Sequence, residues 1–320
     1  MMRLKYDPHT LIVDQTIKCN QACFFCWRAD KKKVSHETRE APWMTLPFDM
    51  YRRIIDAAVE VESMRQLSLC GPMGEPTLVE DLVERGDYAT KKGKFSRYVM
   101  INTNGYALHK FDARALLQAF SHIVVSVDAV DAKIHESIHG KAGQIERILE
   151  NVKHLAAAKK QYGGAVIEVR FTENDKNHGH WPDFQRYFAD IPIDRIRHKK
   201  VHSFIDVLPE LENNAGAILC NQPRGNINFS FRGEMTTCCI NYKPGPVFGH
   251  IDDGRSLKEM WESEAFETWR RERHEGICKG CSGLGAAGQR GEKNLRYHDV
   301  KKLAAIREKG EFAYFEAACA

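Results

Sequence analysis

Three cysteines, Cys19, Cys23 and Cys26, fall in one short stretch, IKCNQACFFCWR, at the spacing C-x3-C-x2-C, with the aromatic Phe25 directly before the last of them. Three thiolates in one loop point to ligation of a metal or cluster. The number is informative, because a closed structural zinc site or an ordinary iron–sulfur site takes four protein ligands. A cubane held by three cysteines leaves one iron open. The triplet alone also fits a zinc knuckle that borrows a distant fourth ligand, or three unrelated thiols. A second set lies far along the chain: Cys220, Gly233 and Cys238 as C-x12-G-x4-C, then Cys278 and Cys281 as C-x2-C. Four such cysteines can close the shell of a zinc ion or of a [4Fe-4S] cluster.

The chain that must position these ligands alternates between period-two and helical patterns. Strands are expected over 10–16, 66–70, 97–101, 122–127, 165–171 and 195–201, with helices over 48–64, 81–92, 112–119, 144–160 and 181–189 between them. Such alternation predicts the α/β class, a parallel sheet covered by helices, with chemistry gathered at the strand C-terminal ends in barrel versions. The first strand runs straight into the cysteine loop. The second ends in LCGPMGEPTL, where Gly71 and Gly74 allow close backbone approach, Pro76 stops the strand, and Glu75 stands as a carboxylate at the mouth. The third ends in the turn Asn102-Thr103-Asn104-Gly105, and the fourth in Ser126-Val127-Asp128, where either polar side chain could merely cap the next loop. Arg170 stands on the fifth among β-branched neighbours. A guanidinium there needs an anion, either a ligand or a structural carboxylate.

In this order the motifs resemble those of the radical S-adenosylmethionine (radical SAM) superfamily, and the resemblance runs from Thr10 to Leu284. It implies a partial (β/α)6 TIM-like barrel whose Cys19, Cys23 and Cys26 hold a [4Fe-4S] cluster. In that family the amino and carboxylate groups of SAM chelate the open iron, and the reduced cluster splits SAM into methionine and a 5′-deoxyadenosyl radical. Phe25, Gly74, Glu75, Asn104, Ser126 and Arg170 match positions that meet SAM. Glu75 and its loop carbonyls are expected at the amino group, Ser126 at the carboxylate or ribose, and Arg170 at the carboxylate. Cys220, Cys238, Cys278 and Cys281 resemble the ligands of the C-terminal SPASM and Twitch modules, where a fully ligated second [4Fe-4S] cluster transfers electrons. A complete SPASM set would need a further C-x5-C-x3-C run, so the Twitch form is expected. The expected division is a radical SAM barrel over 1–205, a small α+β iron–sulfur domain over 206–285, and a helical tail over 286–320.

The bulk properties agree with a globular enzyme. The 320 residues, 43% of them hydrophobic, can bury a full-sized core. With 47 basic against 43 acidic residues, the charge is too balanced to argue for a nucleic-acid or membrane surface. The basic runs 31–33 and 198–200 read as solvated faces, although the second could also meet an anionic substrate. No apolar run is long enough to span a bilayer, and no secretion signal opens the sequence, so a cytoplasmic location is expected, where thiols stay reduced and ten cysteines favour metal ligation over disulfides. Of the remaining cysteines, Cys239 could replace Cys238 as a ligand, and Cys70 or Cys319 could donate a hydrogen atom to a substrate radical. Buried free thiols otherwise pack as small hydrophobes.

The expected function is abstraction of a hydrogen atom from a polar small molecule, a sugar, cyclitol or related metabolite, followed by oxidation through the auxiliary cluster. A flavodoxin- or ferredoxin-type reductant is the implied partner. The alternatives are a peptide-modifying maturase that forms a thioether or carbon–carbon link or epimerises a residue, and a redox-neutral sugar epimerase or dehydratase. Little chain precedes Cys19, so an N-terminal peptide-recognition domain is not expected. A zinc or electron-transfer protein without catalysis would bind no SAM.

Overall fold

The structure is a computed structural model that describes residues 6–29, 44–71, 74–203, 208, 211, 220, 222–240, 245–273, 278, 279 and 281. Cys319 and the tail expected over 286–320 lie outside the described residues.

Six parallel strands run in sequence order across a sheet: β1 (Thr10–Val13), β2 (Gln66–Ser68), β3 (Tyr98–Thr103), β4 (His122–Ser126), β5 (Val166–Glu173) and β6 (Arg195–Lys200). Every link between them is a crossover, as parallel neighbours require. The covering helices are α1 (Phe48–Val59), α2 (Leu82–Lys91), α3 (Ala113–Ala119), α4 (Ala132–His139), α5 (Ile145–Tyr162) and α6 (Trp181–Phe188). In α5 the stripe Ile145, Ile148, Leu149, Val152, Leu155 and Ala156 is buried, and Gly163 at positive φ ends the helix.

The strand pattern decides what faces the site. On β5, Ile167, Val169 and Phe171 join the large apolar core, while Glu168, Arg170 and Thr172 alternate with them on the opposite face. That inner face is polar from Glu168 onward. The register sets Ser126 of β4 beside Arg170 of β5, and Thr172 of β5 beside Lys199 of β6.

The barrel does not close, and the C-terminal segment supplies the reason. β7 (Asn226–Phe229) pairs in parallel with the free edge of β1, and β8 (Glu234–Thr236) and β9 (Gly249–His250) continue the same sheet antiparallel, giving the order β6-β5-β4-β3-β2-β1-β7-β8-β9. The edge that β6 would need is occupied. Beyond β9 come two helices, α7 (Leu257–Trp261) and α8 (Glu264–Glu272), and Ser263 caps the second by accepting from Phe266 N. Leu257, Met260, Trp261 and Phe266 are buried, and Trp269 is half-buried.

Candidate functional site

The cysteine loop is clamped from three sides. Trp27 roots it in the core at 1% exposure, and Cys26 N donates to Cys23 O at 2.9 Å. From the β2 side, Glu75 N donates to Lys18 O at 2.8 Å, and a methyl on Gly74 would lie 2.2 Å from Thr16 O. Only glycine permits that approach. On the α4 side, His139 O accepts from Ala22 N (3.0 Å) and Ile138 O from Phe24 N (2.9 Å).

Glu75 is buried and its carboxylate is occupied. Oε1 accepts from Thr77 N (3.0 Å), Thr77 Oγ1 (2.6 Å) and Thr103 Oγ1, while Oε2 accepts from Asn104 N (2.8 Å). Burial raises its pKa and these donors oppose the rise. Asn104 extends the tie by donating from Nδ2 to Asn20 Oδ1 in the cysteine loop at 2.7 Å. The ends of β1, β2 and β3 thus form one hydrogen-bonded rim.

Arg170 has its anion within the protein. Nη2 donates to Glu168 Oε1 at 2.8 Å, and Glu168 also takes Arg197 Nε at 3.1 Å. Of the two partners open to it, the structural carboxylate is the one present here. Arg170 does not line the cavity at the strand ends, whereas Phe25, Gly74, Glu75, Asn104 and Ser126 all do.

That cavity has a volume of about 200 Å³ and is walled by the C-terminal ends of the strands. Its lining includes Cys19, Cys23 and Cys26, the clustered pair Cys70 and Cys239, and Asn102, Thr172, Lys199 and His202. Lys199 faces this space while His198 and Lys200 on either side are exposed, so the basic run is split by the strand period. Burial, with the Arg170 charge adding to it, pushes the Lys199 ammonium down to about 7.

The three thiols fit a shared cationic centre. Burial first, then the Glu75 charge, pushes Cys19 up to about 11. Cys23 is raised well above the usual thiol range by burial and by Cys26 and Cys19 beside it. Thiols so placed ionise only against a positive centre, and three soft sulfurs in one loop suit an iron–sulfur cluster with an open position. Among the described residues, no three His, Cys, Asp or Glu side chains close to the separation a single metal ion needs.

The second set also gathers. Burial, then Cys281 and Cys220, pushes Cys278 up to about 12, and Cys238 is raised by burial and by Cys239, Cys278 and Cys220. Cys281 N donates to Cys278 O at 3.1 Å, and Cys281 packs with Ile12, Cys70, Cys239 and Ile240 in an apolar cluster inside the barrel. Cys238 and Cys239 both meet this cluster, but of the two only Cys239 lines the cavity.

His139 of the site was missed in the sequence, and Asp128 was read there only as a possible loop cap. Asp128 adopts φ 60°, the only positive value at a non-glycine position among the described residues, and its Oδ1 accepts from Thr172 N at 2.7 Å. His139, 2% exposed, sets Nδ1 3.0 Å from Cys23 Sγ. The available signal was the frame of α4, with Asp131 capping its start and Gly140 at positive φ ending it, around only two apolar residues at helical spacing.

Residues 15–176 match the model of the radical SAM superfamily, and residues 220–282 match that of the SPASM iron–sulfur cluster-binding domain. The chain therefore belongs to the radical SAM superfamily. Its bound groups are a SAM-binding [4Fe-4S] cluster, SAM and auxiliary iron–sulfur centres. The chain is similar to the mycofactocin maturase MftC of Mycolicibacterium smegmatis, 23% identical over 309 residues that cover 86% of this chain and 75% of that one. It spans about half, 48%, of the protein of that name from Mycobacterium ulcerans. Among solved structures, Streptococcus suis SuiB bound to its precursor peptide SuiA superposes with TM-score 0.60 at 14% identity over 86% of this chain and 70% of that one. BtrN in complex with AdoMet and 2-DOIA gives 0.57 at 15% identity over 88% and 95%. At these identities the structures establish the shared fold. No described helix is long and apolar enough to cross a membrane.

Proposed function

We propose that this radical SAM enzyme oxidises a polar small molecule, a sugar, cyclitol or related metabolite. The observation that carries the reading is the cavity of about 200 Å³ whose lining brings Asn102, Thr172, Lys199 and His202 together with Cys19, Cys23 and Cys26 and with Cys70 and Cys239. Beside the residues assigned to the cluster and SAM, Asn102, Thr172, Lys199 and His202 offer the few placed polar groups that a small hydroxylated molecule needs. When bound, an open-iron [4Fe-4S] cluster supplies the electron that cleaves SAM, and a fully ligated one supplies an electron acceptor.

Cys19, Cys23 and Cys26 would hold the first centre, and Cys220, Cys238, Cys278 and Cys281 the second. Phe25, Gly74, Asn104 and Ser126 would meet SAM. Glu75, its oxygens already occupied, would fix the loop whose carbonyls receive the SAM amino group, and Arg170 would stiffen the wall through Glu168. Asn102 and Thr172 would orient substrate hydroxyls by hydrogen bonds. Lys199 Nζ would take the hydroxyl proton that must leave as an alcohol becomes a ketone, and an amine with its pKa near neutrality is matched to that task. The strand ends and the cysteine loop shield the reacting carbon from water.

The experiment is a screen of anaerobically reconstituted protein with SAM and a strong reductant against aminocyclitols, sugars and short peptides. Ketone formation from a cyclitol or sugar, at about one SAM per product and without solvent deuterium, is the expected result. Turnover only with peptides would replace this reading by a second one, that of a peptide-modifying maturase, which the likeness of both modules to the mycofactocin maturase favours. Reductant supply from a flavodoxin- or ferredoxin-type protein belongs to either reading.

A further inference from the structure

His139 stands in direct contact with a cysteine of the SAM-binding loop, and nothing in the proposed reaction accounts for it. Its Nδ1 lies 3.0 Å from Cys23 Sγ, close for a nitrogen–sulfur hydrogen bond, and its ring is buried. The backbone holds the imidazole there. His139 is the last residue of α4, its carbonyl accepts from Ala22 N at 3.0 Å, and a methyl on the next residue, Gly140, would lie 3.0 Å from Ala22 O. The helix end and the cysteine loop are thus fixed to each other independently of the side chain.

The ring is confined on its other sides. His135 lies 4.3 Å away between ring centres, and the Phe25 ring meets it edge-on at 6.4 Å. Asp128 Oδ2 closes the far side, 3.6 Å from Nε2. Asp128 is itself the residue at φ 60°, held by Thr172 N on its carboxylate and by Asn177 Nδ2 on its carbonyl at 2.8 Å. A backbone conformation that costs energy and is fixed by two bonds marks a position where the side chain's direction matters.

We propose that His139 is a positioning residue for the SAM-binding cluster, donating a hydrogen bond from Nδ1 to the sulfur of Cys23. A cluster-bound cysteine sulfur has lone pairs and no proton, so the imidazole nitrogen is the donor. Hydrogen bonds to ligand sulfurs withdraw electron density and stabilise the more negative, reduced state, which raises the reduction potential. His139 therefore makes the cluster easier to reduce. The inference rests on the family and its cysteine triplet, not on the identity of the substrate.

The test compares wild type, His139→Asn and His139→Leu, reconstituted anaerobically, by iron and sulfide content and by an EPR-monitored redox titration. The cluster of interest is the one whose signal changes on adding SAM, which separates it from the auxiliary centre. Asparagine places an N–H near the position of Nδ1, whereas leucine fills space without a donor. The expected result is equal loading, a wild-type potential for His139→Asn, and a roughly tenfold lower reduced-to-oxidised ratio for His139→Leu at fixed poise, 59 mV for one electron. Equal potentials for wild type and both variants at equal loading would overturn the proposal. Should His139→Leu load no SAM-responsive cluster, the His139→Asn protein decides: wild-type loading and potential support the hydrogen bond, and a lowered potential overturns it.

Discussion

Gly74 and Thr16 are in contact so close that no side chain fits between them: a methyl on Gly74 would lie 2.2 Å from the Thr16 carbonyl oxygen, and 2.6 Å from that of Lys18. Both obstacles are backbone atoms of the cysteine loop, which cannot swing aside as a flexible side chain would. Gly74→Ala is expected to push the β2 loop away from the cysteine loop, with a loss of about 1–3 kcal/mol of stability. Iron at the SAM-binding site should fall while the auxiliary iron stays. A denaturation curve together with iron analysis of the reconstituted protein checks both, and wild-type stability with full loading would show that the loops separate freely.

The Arg170–Glu168 pair is buried on both sides, at 1% and 6% side-chain exposure. Removing one partner leaves a charge in the barrel wall without compensation. Glu168→Gln strands Arg170 beside Arg197 and should cost about 3–5 kcal/mol, read as a lower urea midpoint. The double variant Arg170→Met, Glu168→Gln should recover part of that loss. If Arg170 instead serves SAM, Arg170→Met would weaken SAM binding more than it weakens the fold.

Arg170 also marks where the sequence stops being legible. Its neighbours are β-branched and its need for an anion is plain, but which anion it meets depends on Glu168 two residues away on the same face of the strand, and on Arg197 arriving from β6. The six strands and the five helices expected between them could be read because each carries its own period. The parallel pairing of β7 with β1 could not, since a strand of four residues, Asn226–Phe229, shows no alternation that names its partner. The cysteine triplet, Gly74, Glu75 and Asn104 were legible as motifs and do come together at one rim. His139 was not, because its partner Cys23 lies 116 residues away in the chain and only the fold brings α4 to the loop.

Cys238 and Cys239 are expected to behave differently despite being adjacent. Cys238 lies in the field of Cys278 and Cys220, whereas Cys239 lines the barrel cavity and packs against Cys70. Cys238→Ala should lose the iron of the auxiliary centre, and Cys239→Ala should retain full iron at both. Iron per protein after reconstitution, with SAM-responsive EPR to mark the first site, distinguishes the two. Loss of iron in Cys239→Ala alone would exchange their roles.

Lys199 gives the pH dependence. Burial, reinforced by the Arg170 charge, lowers its pKa from 10.5 to about 7, so between those values the unfolded chain holds a proton that the folded chain has released. Stability rises with pH wherever the unfolded state binds more protons. This residue therefore makes the protein more stable as pH climbs from about 7 toward 10.5, and it costs stability below that window, where a cation must be kept among Arg170 and Arg197. Lys199→Met should be more stable than wild type at pH 6, and its stability should climb less steeply above neutrality. Urea denaturation of the reconstituted protein at pH 6, 7.5 and 9 is the measurement, and parallel curves for the two proteins would mean that Lys199 keeps its ordinary ionisation. In the reaction proposed above Lys199 must be unprotonated to act as the base, so turnover should increase as pH rises through about 7 in wild type, and this limb should be missing from the residual activity of Lys199→Met.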